Sequence, residues 1–515
     1  MMNTQRFLYG RIIIVLMLAF LLVGTAITGS AQEPQRGGVL RLAINPIEGT
    51  LDPAFSSNNP DATLSHSVYD FLIEPLPDGS IAPNLATDWT VSDDGLTYTF
   101  NLRQGVTFHD GTPFTSADVA FTFNRLLDEE LGSPALDLLS SIESIETPDD
   151  FTVVMNLSAP NPDFLSAGVG SRFTLILKNG TEDPNDPAQI IGTGPFVLTS
   201  YSQGDRAILT RNENYWIEDQ PYLDGMEHIY VPDTAAQAEI LRSGEADLIY
   251  SVPLELAESL AGEEDVEVVT AVGSQHTVVR IHADEGPGAD PRVREAFKFA
   301  TNREELNELV LFGRGTVANN DPIAPSFPDF YPGDVTTQEH DPERACELLA
   351  EAGFPDGLSG MTLEAPDSLE IPTLATLLQQ QWAEGCINVD INIVPVSNYY
   401  GSDQWLDTPL GITGWGSRPS PQVFLDTSYA SDGIWNESRW SDEELDALIE
   451  QARTTVDVDE RAAIFARIAE IFNERGPVII PYFQPGVGAH RSNVHGVNLH
   501  PFVGLTDFRT VWISE

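Results

Sequence analysis

The chain has 515 residues, too many for one hydrophobic core, so two or three domains are expected. Its 78 Asp and Glu against 26 Lys and Arg make a formal net charge of −52, which excludes nucleic-acid binding because that needs basic surface. Hydrophobic content of 42 %, with eight Trp and 25 Phe, excludes global disorder.

The acidic residues are spread along the whole chain and lysine occurs only at Lys178 and Lys298. This pattern reads as a surface adapted to high salt, where ions screen self-repulsion.

At the N-terminus, Arg6 and Arg11 precede an unbroken apolar run from Ile12 to Val23, and Gly29, Ser30 and Ala31 offer a cleavage site. The run is shorter than the about 20 residues a spanning helix needs, so residues 1–31 are expected to be a secretory signal. No second apolar stretch of spanning length follows. Neither cysteine lies near the cleavage site, which excludes a lipid anchor there. A free periplasmic protein follows, with an uncleaved N-terminal anchor as the alternative.

Gly38-Val-Leu-Arg-Leu-Ala43 reads as the first strand, followed by the turn Leu51-Asp-Pro53 and a helix around Ser65 to Phe71. Trp89 to Val91 and Leu96 to Leu102 form a hairpin through Asp94-Gly95. In the run Val106 to Val119, Gly111 and Pro113 punctuate a tight turn, and Thr115 stands three residues before Asp118, the spacing of a capping box. Val119, Phe123, Leu126 and Leu127 then mark one face of a helix. Phe151 to Leu157 is a further strand, and Gly192-Thr-Gly-Pro-Phe196 precedes a hairpin through Gly204-Asp205.

Helices dominate the second half. Asp290-Pro291 and Asp341-Pro342 each read as an N-cap with Pro at the first helical position. Ser441 with Glu444, and Asp457 with Glu460, read as capping boxes, the second opening a helix with Ile464, Phe465, Ile468, Ile471 and Phe472 inward. Strands interleaved with helices predict an α/β fold, with a β-richer portion between about residues 76 and 190.

The passage Val106 to Val119 closely resembles the signature of the peptide/nickel class (family 5) of solute-binding proteins that serve ABC importers. Further pieces in the same order strengthen the resemblance: Leu51-Asp-Pro53, Pro83-Asn-Leu-Ala86, Gly192-Thr-Gly-Pro-Phe196, Asn212-Glu-Asn-Tyr-Trp216, Leu241-Arg-Ser-Gly-Glu-Ala-Asp247 and Asp290-Pro-Arg-Val-Arg-Glu-Ala-Phe297. It implies a two-lobed periplasmic-binding-protein fold (class II-like, cluster C type) with an inserted α+β domain. By analogy the first lobe would comprise residues 36–75, 190–275 and 488–515, the insertion 76–189 and the second lobe 276–487. It also implies a monomer that closes on a small solute, such as a peptide, opine-like compound, oligosaccharide or metal chelate. A membrane permease would receive the closed form, and no cofactor is implied.

The matching loop of peptide-binding relatives carries an aspartate three residues after a tryptophan, which pairs with the peptide's α-ammonium. In Gly411-Ile-Thr-Gly-Trp-Gly-Ser-Arg-Pro-Ser-Pro421 that position is Arg418, an inverted charge. Arg418 could offer a two-point fork to a carboxylate or similar anion, or pair with a neighbouring acid and shape the loop. Trp415 could stack on the solute or pack in the core. Gly414, Gly416 and Ser417 could present backbone groups to the cleft. Phe55, Ser56, Ser57 and Asn58 could reach it from the other lobe or form a plain surface loop, and Trp435 and Asn436 are further candidates.

His109 sits inside the fold-defining turn and is expected to make a structural hydrogen bond rather than serve as a metal ligand or base. The nine histidines are scattered, and no metal-ligand spacing occurs. Cys346 and Cys386 could pair in an oxidising compartment, stapling two neighbouring helices, or stay as buried thiols. No Gly-x-Ser-x-Gly, His-Glu-x-x-His or Walker A run is present, which argues against an enzyme. A carboxylate-pair hydrolase acting on a small solute or glycan, and a ligand-presenting partner of a chemoreceptor, are the alternatives.

Overall fold

The computed structural model describes residues 33–56, 58–333, 338–401 and 404–514, and one mixed sheet of twelve strands organises them. The expected signal at 1–31 and Ser57 lie outside the described residues. The sheet's hydrogen-bonded order is Ile387–Val394, Leu358–Pro366, Leu410–Trp415, Val266–Ile281, Tyr482–Arg491, Leu248–Tyr250, Val39–Ile44, Gly225–Tyr230, Arg206–Arg211 and Phe196–Ser202. Thr316–Val317 and Val478–Ile479 attach beside this path.

Two long strands make the waist. Val266–Ile281 pairs antiparallel with Tyr482–Arg491 from Val266↔Arg491 to Val272↔Pro485, then shifts register. From His276 to Ile281 its other edge pairs with Leu410–Trp415. The irregularity at Gly273-Ser274-Gln275 thus falls where the half-sheets meet, and such a bulge re-aims side chains.

Burial follows the same division. Leu40, Leu42, Leu209, Met226 and Leu248 belong to the core of one half-sheet, and Phe297, Leu348, Leu363, Trp382 and Ile412 to that of the other. A third core lies on a separate four-stranded antiparallel sheet, ordered Ala86–Val91, Thr97–Leu102, Thr152–Leu157 and Ile142–Asp149, and contains Phe100, Phe108, Phe123 and Met155. At about 1.5–3 kcal/mol for each large apolar side chain, these clusters are the main favourable contribution to the fold. The architecture is α/β and two-lobed, with a smaller sheet added to one side.

Local signals explain many of the elements. Thr115 and Asp118 close a capping box on the helix Ser116–Leu126, which buries Val119, Phe123 and Leu126. His109 is held in the preceding turn: Nε2 lies 3.0 Å from Gly194 O, and Gly192 N donates to Nδ1 at 3.3 Å. Gly192 and Gly194 permit close approach, since a Cβ would fall 2.0 Å from Val68 O and 2.5 Å from Val68 C. The Asn212 to Trp216 motif also has a structural reason, because Tyr215 OH and Trp216 Nε1 donate to buried Asp70 at 3.0 and 2.9 Å.

Three expectations need correction. The helix placed around Ser65 to Phe71 runs Asn59–Val68, because Asn58 and Asp61 form a capping box ahead of Pro60. The helix Glu443–Thr454 is capped by Asp442, whose carboxylate accepts from Glu444 N and Leu445 N; Ser441 Oγ bonds Ser431 Oγ instead. Cys346 and Cys386 are joined, but Cys386 lies in the left-handed turn after the helix Ile371–Glu384 (φ 62°), so the bridge ties a helix to a helix–strand turn.

Candidate functional site

The loop after Leu410–Trp415 is set by a fully polar floor. Arg280, 0 % exposed, pairs through Nε with Glu437 Oε2 at 2.8 Å and donates to Tyr399 OH at 2.9 Å and to Trp405 O. Glu437 also accepts from Thr413 Oγ1 at 2.6 Å and Trp415 Nε1 at 3.1 Å. A buried ion pair is tolerable only with its other hydrogen bonds satisfied, and these partners supply them. Gly411 makes room, since a Cβ there would lie 2.0 Å from Arg280 Nη1. Trp415 is therefore a buried, anchored side chain packed edge-on to Phe424 and tilted against Trp435.

Above this floor, the backbone of Arg418 is clamped from the waist. Its N–H donates to Ser274 Oγ at 2.9 Å, and Ser274 Oγ donates to Arg418 O at 3.0 Å. The guanidinium lies 5.9 Å from the ring centroids of Trp415 and Phe424. Among the described residues Nη1 donates only to its own loop, to Gly416 O at 3.3 Å and Ser417 O at 3.2 Å. Among the described residues no carboxylate reaches it at ion-pair distance, although burial lowers its pKa and so penalises its charge. By contrast Arg242, Arg292, Arg453, Arg467 and Arg475 each hold at least one carboxylate.

The facing wall starts at the N-terminus of the helix Asn59–Val68. A hollow of about 370 Å³ is lined there by Asn45, Asn58, Asp61, Thr234 and Ser251 among others. Asp61 Oδ1 accepts from Asn58 N at 3.0 Å and Ala62 N at 2.8 Å. Burial raises the Asp61 pKa against these bonds and the nearby Arg172. Burial lowers the pKa of Arg172, which is also close enough to Asp61 and Arg418 to feel their charges. Arg172 and Arg418 are thus close enough for their like charges to interact.

A second hollow, of about 400 Å³, sits at the waist and shares Ser251 with the first. Ser251 has a left-handed backbone (φ 60°), an uncommon conformation for a residue with a side chain. Glu370 lines this hollow and accepts from Thr277 Oγ1 at 2.9 Å and from Gln484 Nε2, which in turn is bonded to Thr277 Oγ1 at 2.9 Å. Ser417 lines it too, directly before Arg418.

The remaining candidates are dispersed. Gly414 and Gly416 are exposed and Ser417 is half-buried. Phe55 packs partly against the smaller sheet's core, and Ser56 is fully buried with its Oγ 3.3 Å from Ser65 Oγ. Asn58 is exposed at the first hollow. Trp435 is half-covered beside Trp415, next to Ile434, which is 71 % exposed. Asn436 is committed to its own turn, donating to Ala430 O and Trp440 O. His282, Asp284 and Glu285 approach one another, but the guanidinium of Arg439 already pairs with Asp284, Glu285 and Asp407.

Asp61, Arg172, Ser274 and Glu370 were not singled out from the sequence. Only Asp61 carried a local signal, the Asn58-x-x-Asp61 capping box; the others join the site through contacts far along the chain, 144 residues for Ser274 to Arg418.

Among the described residues no helix is long and apolar enough to cross a membrane. The family model for bacterial extracellular solute-binding proteins, family 5 (middle region), matches residues 80–436. The glutathione-binding protein GsiB of Salmonella paratyphi A is 28 % identical over 469 residues, covering 89 % of this chain and 91 % of that protein. Heme-binding protein A of Haemophilus influenzae is 30 % identical over 475 residues, covering 85 % of each. Among solved structures, the periplasmic binding protein DppA of Helicobacter pylori in complex with the peptide STSA superposes with a TM-score of 0.69 at 26 % identity, covering 93 % of this chain and 99 % of that one. With its two half-sheets, its waist and this match, the chain belongs to the family 5 extracellular solute-binding proteins of ABC importers.

Proposed function

We propose that this protein captures a small solute carrying an anionic group, held by Arg418 from one wall of the cleft and facing Arg172 on the other, and delivers it to a membrane permease. The observation that carries this reading is Arg418: on a chain with a net charge of −52, its half-buried guanidinium has, among the described residues, only loop carbonyls as hydrogen-bond partners and follows Ser417, which lines the waist hollow. An anion would supply the missing counter-charge through a charge-assisted, two-point hydrogen bond. The named ligands of the relatives support the class, since glutathione, heme and the bound peptide all bear carboxylates.

Capture is a population shift rather than catalysis. A solute touching both walls stabilises the closed arrangement, because only that arrangement makes all its contacts. In this reading residues 1–31 direct export, the protein works as a monomer in the periplasm, and its dispersed acidity suits a salty medium. The lobes are 36–75 with 190–275 and 488–515, and 276–487, with 76–189 inserted.

Native mass spectrometry of freshly purified protein should reveal a retained solute with an acidic group, bound one to one and unchanged on incubation. Arg418→Ala should weaken its binding by at least about 1.5 kcal/mol. Unchanged affinity in a folded variant would sink the assignment, and conversion of the bound solute would favour the hydrolase reading.

A further inference from the structure

The waist hollow is acidic, in contrast to the neighbouring cations Arg172 and Arg418. Its lining includes Glu255 and Glu370 and no Lys, Arg or His. Glu370 is only 8 % exposed. Its Oε1 accepts from Thr277 and Gln484, and its own backbone N–H also favours the charged form. Burial raises the Glu370 pKa, and the proximity of Glu255 raises it further. A carboxylate that is nine-tenths buried and lies beside a second carboxylate is stabilised by a cation entering the hollow.

From this geometry we infer that the hollow between Glu255 and Glu370 receives a protonated amine of the captured solute, so that the solute is zwitterionic, with its amine at Glu370 and its anionic group at Arg418. The assignment rests on the reading of Arg418 as the anion's anchor. Ser417 lines the hollow and precedes Arg418, so the two poles lie within the span of one small molecule. The Thr277–Gln484 scaffold holds Glu370 from the two waist strands. Glu255 belongs to the helix Leu254–Ala261 on the side of the first half-sheet, so the amine would contact both walls.

The test titrates the mature chain, freed of retained solute by unfolding and refolding, with three probe series: ω-amino acids from γ-aminobutyrate to ε-aminocaproate, the matching alkanoates, and the matching alkylammonium ions. At least one ω-amino acid should bind about tenfold tighter than both of its single-charge analogues. Glu370→Gln, which keeps the side-chain shape, should abolish that advantage without weakening alkanoate binding. Glu255→Gln, at an exposed position, should reduce it less and guards against misfolding at Glu370. Arg418→Ala should weaken alkanoates and ω-amino acids but not alkylammonium ions.

If Glu370→Gln and Glu255→Gln leave ω-amino acid binding unchanged while Arg418→Ala weakens it, the amine assignment falls and the anion reading stands. If Arg418→Ala has no effect while Glu370→Gln does, the anion reading falls and the zwitterion with it. Sodium at equal ionic strength reproducing the alkylammonium effect identifies an inorganic cation and overturns the amine. Absence of any ω-amino acid advantage overturns it as well.

Discussion

Arg280 and Arg418 sit in the floor and rim of one loop, yet their charges are treated in opposite ways. Arg280 is sealed from water and meets a carboxylate, a phenol and a carbonyl. Arg418 is held by its backbone, while among the described residues its guanidinium bonds only two carbonyls of its own loop. A charge whose partners are all internal stabilises geometry, and Arg280 with Glu437 fixes Trp415. A charge left without a carboxylate retains capacity for an outside partner, at the cost of partial desolvation.

The comparison breaks most visibly at Glu437. Glu437→Gln leaves Arg280 buried without its counter-ion and should cost about 3–5 kcal/mol of stability, read from urea unfolding. Replacing the pair together, as Arg280→Met with Glu437→Leu, should recover much of that loss. A single-variant loss below about 1 kcal/mol would mean that the floor is not held by this pair.

At the rim the effects should separate in the other direction. Arg418→Ala should lose the binding energy proposed above but shift unfolding stability by no more than about 0.5 kcal/mol. A large stability loss would make Arg418 a structural residue like Arg280.

Asp321 extends the contrast to a buried acid without a cation. Burial pushes its carboxyl up to about 7, and its described hydrogen bond comes from Ile323 N at 3.0 Å. Because the folded pKa lies above the unfolded one, this group's stabilising contribution is full below the unfolded pKa of 3.8 and is lost as pH rises to about 7. Asp321→Asn should therefore gain stability relative to the parent on going from about pH 5 to about pH 8. A pH-independent difference between the two proteins in chemical denaturation would contradict this.

The surface sets the smallest effect per group. Its acids are mostly exposed and dispersed, so each is screened, but together they repel. The melting temperature should rise from low to molar salt, whereas a flat profile would show that the self-repulsion is already balanced by local pairs such as Arg467 with Glu444 and Glu474.

Much of the fold was legible because its signals are local. The turn and capping box between Val106 and Val119, the hairpins through Asp94-Gly95 and Gly204-Asp205, and the N-caps Asp290, Asp341 and Asp457 depend on neighbours a few residues away. The cap shifted to Asp442 because Ser441 and Asp442 are adjacent and either could cap, whereas the helix Asn59–Val68 starts well before Ser65, at the Asn58–Asp61 capping box. The site was legible only in part. Arg418 stood out by type and position, but its Ser274 clamp did not.

The sequence by itself determined that the chain is an acidic, multi-core α/β protein, that many of its turns and helix starts carry local capping signals, and that the loop after Trp415 carries an arginine at position 418. Tertiary structure alone decided which charges are spent and which remain available. Trp415 is committed to Glu437, Asn436 to its turn and Arg439 to its acids. Glu370 lines the waist hollow, and Arg418 directly follows Ser417, which lines it too. The physical reason is that a side chain's availability depends on contacts closed by strands distant in sequence, here Val266–Ile281 and Tyr482–Arg491, and local pattern carries no record of them.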